Sequence, residues 1–551
     1  MPNAENFTRA QAEKKKPPID ALEGPKLALS GQVVTMDAAR TVLKNGVVFI
    51  EQGGIVAVRK PGEAPPTGFE GVAVVDTRGT IYPGLIELHN HLSYNILRLW
   101  DVPRKFGNRG QWAGIADYQT LVSGPMGLIG QTPGLLSAVV RYVECKCLLG
   151  GVTTSQGIEL FSNKGARRYY RGIVRNVEQT DEPGLPEAAT RIADVDASDA
   201  KSFLARLATK KCFLLHLAEG VDATARRHFS SLEFKPGQWA ITSSLAGIHC
   251  TALERSDFDV MAEKGASMVW SPLSNLLLYG GTARIAEAKQ AGVRIGLGSD
   301  WSPSGSKNLL GELKVARLAS QAAGGILSDS DILALATTNA AAILHWQELL
   351  GSIEAGKRAD FLVLDSAPQD PYAGLLKANE SAIQLVMING VARYGEPAIM
   401  KSLGVSGESY KVGGEAKVLN LKQATSDPDV ALISLTQARK RLTKALKDLP
   451  KLKPPAPPRA ALAALYQPPT WFLALDEIAP TGMDVRPHLP LEGRPTMLAA
   501  KGPTALKATP PKLHSLKLDP ITVVDDPDFL DLISKEVNLP EFVKQGLPAL
   551  Y

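Results

Sequence analysis

The chain has 551 residues, several times the length of a typical domain and too long for one compact core. Hydrophobic residues make up 44% and charged residues 21%, which excludes a mostly disordered or fibrous chain, and no apolar run reaches the roughly 18 residues that a membrane span needs. The net charge of +5, from 61 basic and 56 acidic side chains, is small and evenly mixed, so neither nucleic acid nor an anionic membrane is expected as a partner.

Residues 1–24 are polar, carry Lys14-Lys15-Lys16 with no apolar stretch behind them, and read as a flexible leader, not a secretory signal. Short β-rich pieces follow at 27–35, 47–51, 54–58 and 72–76, punctuated by Gly and Pro as a small antiparallel sheet requires. From Thr80 strand-like runs alternate with amphipathic helices. Strands are predicted at 86–91, 152–156, 172–178, 212–216, 247–250, 267–271 and 294–299, with helices at 135–149, 200–208, 222–227, 256–264 and 283–291. A fourth strand, the least defined, is placed at 190–195. This repeat over 80–350 predicts an α/β fold of the (β/α)8, TIM-barrel type. After helices in 310–350, β-character returns at 360–365 and 383–394, where Asn389-Gly390 marks a turn, and these late strands are expected to join the early ones.

The remainder, 401–551, is a Pro-rich C-terminal extension: 19 of the 38 prolines fall there. It holds one predicted helix at 429–449 and a Pro-rich stretch at 453–458. Trp471, Phe472, Phe529 and Phe542 argue against full disorder, and the extension is expected to wrap its own core or a neighbouring subunit. The chain has four cysteines, too few for a disulfide framework, which fits a reducing, cytoplasmic setting. Cys145 and Cys147 stand two apart in a helical pattern, on different faces, and read as buried small hydrophobes and not as a metal pair.

The chemistry concentrates at predicted strand ends. His89-Asn90-His91 closes the first barrel strand, where side chains two apart share a face and both imidazoles can reach one ion. His216 closes the run beginning at Cys212, with Glu219 three residues on. His249 closes another run, and Asp300 follows Gly298-Ser299. Barrel enzymes place catalysis at these C-terminal strand ends. Three histidines and a carboxylate suit Zn2+ or Fe2+ with a position left open for water. His228 and His345 on helical segments, and His488 and His514 in the extension, read as structural.

Pro83-Gly84-Leu85-Ile86-Glu87-Leu88-His89-Asn90-His91 resembles the "PGLID-x-H-x-H" signature of the amidohydrolase superfamily, with Glu87 in place of the usual Asp. Gly151-Val152-Thr153-Thr154, His216-Leu217-Ala218-Glu219, Ser271-Pro272-Leu273-Ser274-Asn275, Gly298-Ser299-Asp300 and Gly351-Ser352-Ile353-Glu354-Ala355-Gly356-Lys357 resemble further blocks in order, over roughly residues 27–396. The resemblance implies a barrel over 80–350 inserted in a small composite β-sandwich, whose strands come from 25–79 before the barrel and 351–400 after it. The motif His216-x-x-Glu219 is similar to that of the aminohydrolase branch, which includes deaminases and triazine hydrolase-like enzymes.

That likeness implies His89, His91, His216 and Asp300 as ligands of one divalent metal ion. Asp300 would take a proton from the attacking water, His249 would orient that water, and Glu219 would deliver a proton to a ring nitrogen or leaving group. The bridging lysine of binuclear members has no counterpart in 172–178 or 190–195, and Lys164, Lys210 and Lys211 are poorly placed for the role. A long segment after His91, up to Thr132, carries Tyr94, Trp100, Trp112 and Tyr118 with Arg98, Arg104 and Arg109. It reads equally as an aromatic lid or as a packed insertion. Trp100, Trp112, Ser302 and Asn308 are candidate substrate contacts, with Ser304 in the same stretch beyond Asp300. The expected function is metal-dependent hydrolysis of a non-peptide carbon–nitrogen bond, deaminating a nitrogen heterocycle. A cyclic-amide, lactone or halogenated-ring hydrolase is the alternative, and a non-enzymatic scaffold the third reading. The partners expected are a small-molecule substrate and further copies of the chain in a homo-oligomer.

Overall fold

A computed structural model describes residues 26–132, 134–162, 166–180, 182, 184–192, 194–423, 430, 432–452, 470–475 and 512–551. The leader 1–24, Lys164, Asp429, the stretch 453–458 and His488 lie outside the described residues. The chain opens with β1 (Leu27–Val34), β2 (Val42–Glu51), β3 (Gly54–Arg59) and β4 (Val74–Pro83).

The alternating region then builds two parallel arcs. The first holds β5 (Leu85–Glu87) and β6 (Val152–Ser155); a hairpin of β7 (Glu159–Ser162) and β8 (Arg167–Tyr169) intervenes before its third member, β9 (Arg175–Asn176). The second holds β10 (Ala189–Arg191), β11 (Phe213–Leu217) and, past the small hairpin β12 (Glu233–Lys235) and β13 (Gln238–Trp239), β14 (Leu245–His249), β15 (Ser267–Trp270) and β16 (Arg294–Leu297). Residues of β11, β14 and β15 are buried throughout, as in strands covered on both faces.

The arcs meet at both joins. At one, the Ala188 amide donates to the Val177 carbonyl at 2.8 Å. At the other, the Asp300 amide donates to the His89 carbonyl at 3.0 Å, and Asn90 and Asp300 form a parallel bridge. Helices fill the connections, among them Leu136–Leu149, Ala200–Leu207, Ala223–Ser230, Arg255–Glu263 and Leu309–Ala322. Several open on residues legible as caps: Asp222 accepts from the Ala225 amide, and Asn308 from the Gly311 amide.

The approach of β16 to β5 demands a glycine. A Cβ at Gly298 would sit 2.5 Å from the His89 Cβ and 2.8 Å from its carbonyl oxygen. Gly298→Ala is therefore expected to push His89 aside at a cost of about 1–3 kcal/mol and to lower bound metal. Thermal unfolding and metal content of the purified variant check this; wild-type values for both would mean the join yields without disturbing His89.

After these arcs come β17 (Phe361–Leu364), β18 (Ile383–Ile388) and β19 (Val391–Gly395), then β20 (Glu408–Val412) and β21 (Glu415–Leu419) from the extension. Early and late strands share one nine-stranded sheet in the order β20-β21-β19-β18-β17-β4-β1-β2-β3. The late strands thus join the early ones as expected, and bulges between Gly31 and Val33 and between Phe49 and Ile50 bend the sheet. Its core packs Val33, Val48, Ile50 and Ile81 against Phe361, Leu385 and Met387.

The described parts of the extension lie on their own chain. Helix Leu435–Lys447 is preceded by residues that hold Arg141 through the carbonyls of Val430 and Ile433, both at 3.0 Å. A last strand, β22 (Trp471–Leu473), pairs antiparallel with β7. Residues 512–551 run beneath the segment that follows His91: the Asp519 amide donates to the Ile96 carbonyl at 3.0 Å, and Asn538 donates to the Val102 carbonyl at 3.1 Å. All four cysteines are unpaired and buried. Among the described residues no helix is long and apolar enough to cross a membrane.

Candidate active site

The residues singled out at strand ends converge. His89 and His91 lie just beyond β5, His216 and Glu219 at and after the end of β11, His249 at the end of β14, and Asp300 after β16. The expected strand 86–91 is shorter, ending at Glu87, so extended chain past the strand and not the strand itself carries the two histidines. Three of these strand ends pass through the left-handed region at non-glycine residues, with φ of 51° at Ala218, 68° at His249 and 64° at Asp300. Such backbone is costly and persists where the surroundings impose it. Here it turns His249 and Asp300 toward a common centre.

Ligating atoms of His89, His91 and His216 lie within 4.8 Å of one another, as do those of His89, His249 and Asp300, and those of His216, Glu219 and His249. The surroundings fix the tautomers. His89 Nδ1 donates to Gln156 Oε1 at 3.0 Å, which also accepts the Asn90 amide at 2.8 Å, so His89 presents a bare Nε2 to Asp300 Oδ1 at 3.1 Å. Nε2 of His91 and Nε2 of His216 face each other at 3.3 Å. Burial, foremost, and then the neighbouring imidazoles hold the His216 ring well below the ordinary histidine value, so it is neutral.

Lone pairs and a carboxylate aimed at one point repel one another unless a cation lies between them. The donor set therefore fits a divalent metal, which His89, His91, His216 and Asp300 could hold. Burial works against the charge of Asp300, but the His89 contact outweighs it and keeps the carboxyl below the usual aspartate range. Its other oxygen accepts the Ser274 hydroxyl at 2.6 Å. His249 is oriented differently. Asn275 Nδ2 donates to its Nδ1 at 3.0 Å, which leaves the proton on Nε2, facing Glu219 Oε2 at 3.7 Å. Glu87 supports the join by accepting from the Ser299 amide at 2.9 Å and the Ser299 hydroxyl at 2.5 Å, and burial pushes its carboxyl up to about 7.

The cavity over these groups is lined by His91, Trp112, Tyr118, Ile192, His216, Glu219, His249, Asp300 and Trp301. Trp112 and Tyr118 come from the long segment after His91, and Trp301 directly follows Asp300; ring centroids stand 6.0 Å apart for Trp112–Trp301 and 5.0 Å for Trp112–Tyr118. The segment is thus both a wall of the site and a packed insertion. Trp100 belongs to its packed portion, against Phe106 and Tyr118, and does not line the cavity. Ser302 is turned away to accept Lys146 Nζ at 2.7 Å. Asn308 caps its helix and donates to Glu380 Oε1 at 2.7 Å, and Ser304 accepts from Trp301 Nε1 at 2.5 Å. Sequence reasoning missed Trp301 and Tyr279, whose hydroxyl donates to Glu219 Oε1 at 2.6 Å. It named Arg109 without a role; Arg109 pairs with Asp194 at 2.5 Å and stands 3.8 Å from Glu219.

A pocket at the C-terminal ends of parallel strands, walled by aromatic rings and holding a histidine–carboxylate cluster, is the kind of site a metal-dependent hydrolase uses. The amidohydrolase family profile matches residues 207–393. Relatives include the 5-methylthioadenosine/S-adenosylhomocysteine deaminases of Symbiobacterium thermophilum, 24% identical over 61% of this chain and 84% of that protein, and of Nitratidesulfovibrio vulgaris, 27% identical over 66% and 90%. Among solved structures, a zinc-bound adenosine deaminase from Xanthomonas campestris matches with a TM-score of 0.54 and 19% identity over 78% of this chain and 100% of its own. The zinc complex of atrazine chlorohydrolase from Arthrobacter aurescens matches with a TM-score of 0.56 and 20% identity over 76% and 99%. Over residues 207–393 the chain is thus similar to the amidohydrolase family.

Proposed function

We propose that the two parallel arcs close as a (β/α)8 barrel and that the site at their C-terminal ends deaminates a nitrogen heterocycle by water attack. The observation that carries this is the convergence of His89, His91, His216, Glu219, His249 and Asp300 in one buried cavity, with ring lone pairs facing a single point. The relatives named as deaminases support the reaction type. One metal ion, zinc as the first choice, fits the residues: β10 is Ala189-Thr190-Arg191 and offers no bridging lysine. When bound, such an ion supplies Lewis acidity and brings the pKa of a water from 15.7 toward about 7.

The chain's own groups divide the remaining work. Trp112, Tyr118 and Trp301 stack a flat ring over the centre. Asp300, ionised and steadied by Ser274, accepts the proton of the attacking water as its oxygen bonds to the amine-bearing carbon. His249 donates its Nε2 proton in a hydrogen bond to the oxygen that gathers charge. Glu219 gives a proton to the adjacent ring nitrogen. Asp300 returns its proton to the amino group, the carbon–nitrogen bond breaks with its electron pair on nitrogen, ammonia leaves, and the proton of the added hydroxyl passes to Glu219 as the carbonyl forms, which restores the acid. Four unpaired, buried cysteines support a cytoplasmic setting.

The purified full chain is expected to release ammonia from at least one member of a panel of aminopurines, aminopyrimidines and aminotriazines. Activity should fall with exhaustive chelation and return with zinc. Chloride release from a chlorotriazine without ammonia release from any amine would select the halogenated-ring alternative, and full activity in the chelated protein would falsify the metal-dependent reading.

A further inference from the structure

Behind Glu219 lies a buried polar chain whose middle member, Tyr279, the reaction above does not use. Tyr279 is the last residue of helix Pro272–Tyr279, which stops at Gly280 in a left-handed cap with φ of 68°. Its hydroxyl donates to Glu219 Oε1 at 2.6 Å and accepts from Trp112 Nε1 at 2.9 Å. Trp112, Tyr279 and Glu219 are all buried. The three side chains come from three separate regions of the fold: the segment after His91, the helix that follows β15, and the loop after β11. Only Trp112 and Glu219 face the cavity; Tyr279 stands behind them.

A glutamate carboxylate is held loosely about its last torsion, where the energy surface is broad and two-fold. With Oε1 taken by Tyr279, Oε2 is left toward His249 Nε2 at 3.7 Å and Arg109 Nη1 at 3.8 Å. The phenol in turn has a single lone-pair partner among the described contacts, the indole N–H of a residue that forms the cavity wall. Burial and the adjacent carboxylate push the phenol well above its ordinary value, so it remains a donor.

We propose that Tyr279 is a positioning residue that fixes the Glu219 carboxylate for proton delivery and ties its setting to the seat of Trp112, so that the carboxylate is aimed when the segment after His91 walls the cavity. This rests on Glu219 as the proton donor in the deamination proposed above.

The test is steady-state ammonia release by the full-length, zinc-loaded protein, with the best amine of the panel as substrate. Wild type, Glu219→Gln, Tyr279→Phe, Trp112→Phe and the Tyr279→Phe/Trp112→Phe double variant are compared, with zinc content and thermal midpoint measured alongside. Tyr279→Phe removes one oxygen and is expected to lower kcat about 10- to 100-fold with KM little changed, the size of effect that a misplaced catalytic group produces. Trp112→Phe keeps an aromatic wall and loses only the N–H, and should lower the same parameter less. The double variant should be no slower than Tyr279→Phe alone, because the two act through one chain. Wild-type kcat in Tyr279→Phe while Glu219→Gln is inactive would overturn the proposal alone. So would losses that multiply in the double variant. Wild-type turnover in Glu219→Gln would remove the proton-donor assignment and the proposal with it.

Discussion

Asp300→Asn is expected to reduce turnover by about 10³-fold or more and to lower zinc occupancy, with the fold intact. The substitution conserves size and changes two things. It removes the negative charge that faces His89 Nε2 at 3.1 Å and His91 Nε2 at 3.6 Å, and it replaces one acceptor oxygen with a donor N–H. A donor pointed at the metal position cannot ligate, and a carboxamide cannot take a proton from water, so binding and general-base work are lost together. The backbone at this position has φ of 64°, which asparagine tolerates better than most residues, so the strand end should hold its course. Ser274→Ala provides the graded control. It removes the hydroxyl that donates to Asp300 Oδ2 at 2.6 Å, leaves the charge in place, and should cost about 10- to 100-fold in metal affinity or activity, as outer partners of ligands do. Zinc content by elemental analysis and ammonia release under saturating substrate check both variants. A zinc-loaded Asp300→Asn enzyme retaining a tenth of wild-type turnover would remove Asp300 from the proton transfer.

The site is legible in the sequence because its residues sit at boundaries. His216, His249 and Asp300 each close a short, mostly apolar run, and a change from such a stretch to a single histidine or aspartate can be read without coordinates. The flanking alternation with helices tells which end of the strand each one occupies. What resists reading is short or oblique. The first arc closes through β9, a two-residue strand, and the second opens with β10, three residues long. Neither gives a periodic signal of useful length, which is why the sequence places the fourth strand at 190–195, one residue late at its start. The segment after His91 offers five aromatics and no means to sort them. Trp112 faces the cavity and Trp100 does not because the 3₁₀ turn Arg109–Gln111 and its Asn108 cap set the chain direction between them. Asn308 is open to a plainer reading. An asparagine directly before Leu309-Leu310 is a helix-start signature, and its side chain is spent on the cap and on Glu380. Tyr279 carries no signal at all, since its role depends on a helix end meeting two loops.

Asp519→Ala is expected to be the most destabilising single change in the extension. In sequence it is one acid among many in a proline-rich region. In the structure its carboxylate is almost fully buried and shared by two buried ammonium groups: Lys146 Nζ at 2.5 Å and Lys307 Nζ, which also reaches Asp526 at 2.8 Å. Lys146 further holds the Asn95 carbonyl at 3.0 Å and the Ser302 hydroxyl at 2.7 Å, while Arg98 pairs with Asp528 at 2.7 Å. Residues 512–551 thus carry the counter-charges for cations on both loops that flank the metal set, the one after His91 and the one after Asp300. Burial pulls the Lys146 ammonium down to about 8 even with Asp519 beside it. Deleting that carboxylate strands Lys146 in the interior and leaves Lys307 with Asp526 alone, and breaking a buried pair from one side costs about 3–5 kcal/mol, a large share of the roughly 5–15 kcal/mol typical of a folded domain. Asp448 makes a pair of nearly equal length, 2.9 Å to Lys444, but on the exposed face of a helix. Water already solvates both partners there, so Asp448→Ala should leave the unfolding midpoint where it is. The comparison is thermal unfolding of the two variants, with limited proteolysis to locate the opened segment. Asp519→Ala should melt well below wild type and be cut first in the segment after His91, because that segment loses its brace. Equal midpoints for the two variants would mean that the buried lysines shed their protons or find other partners, and that the extension is not what holds the mouth of the site.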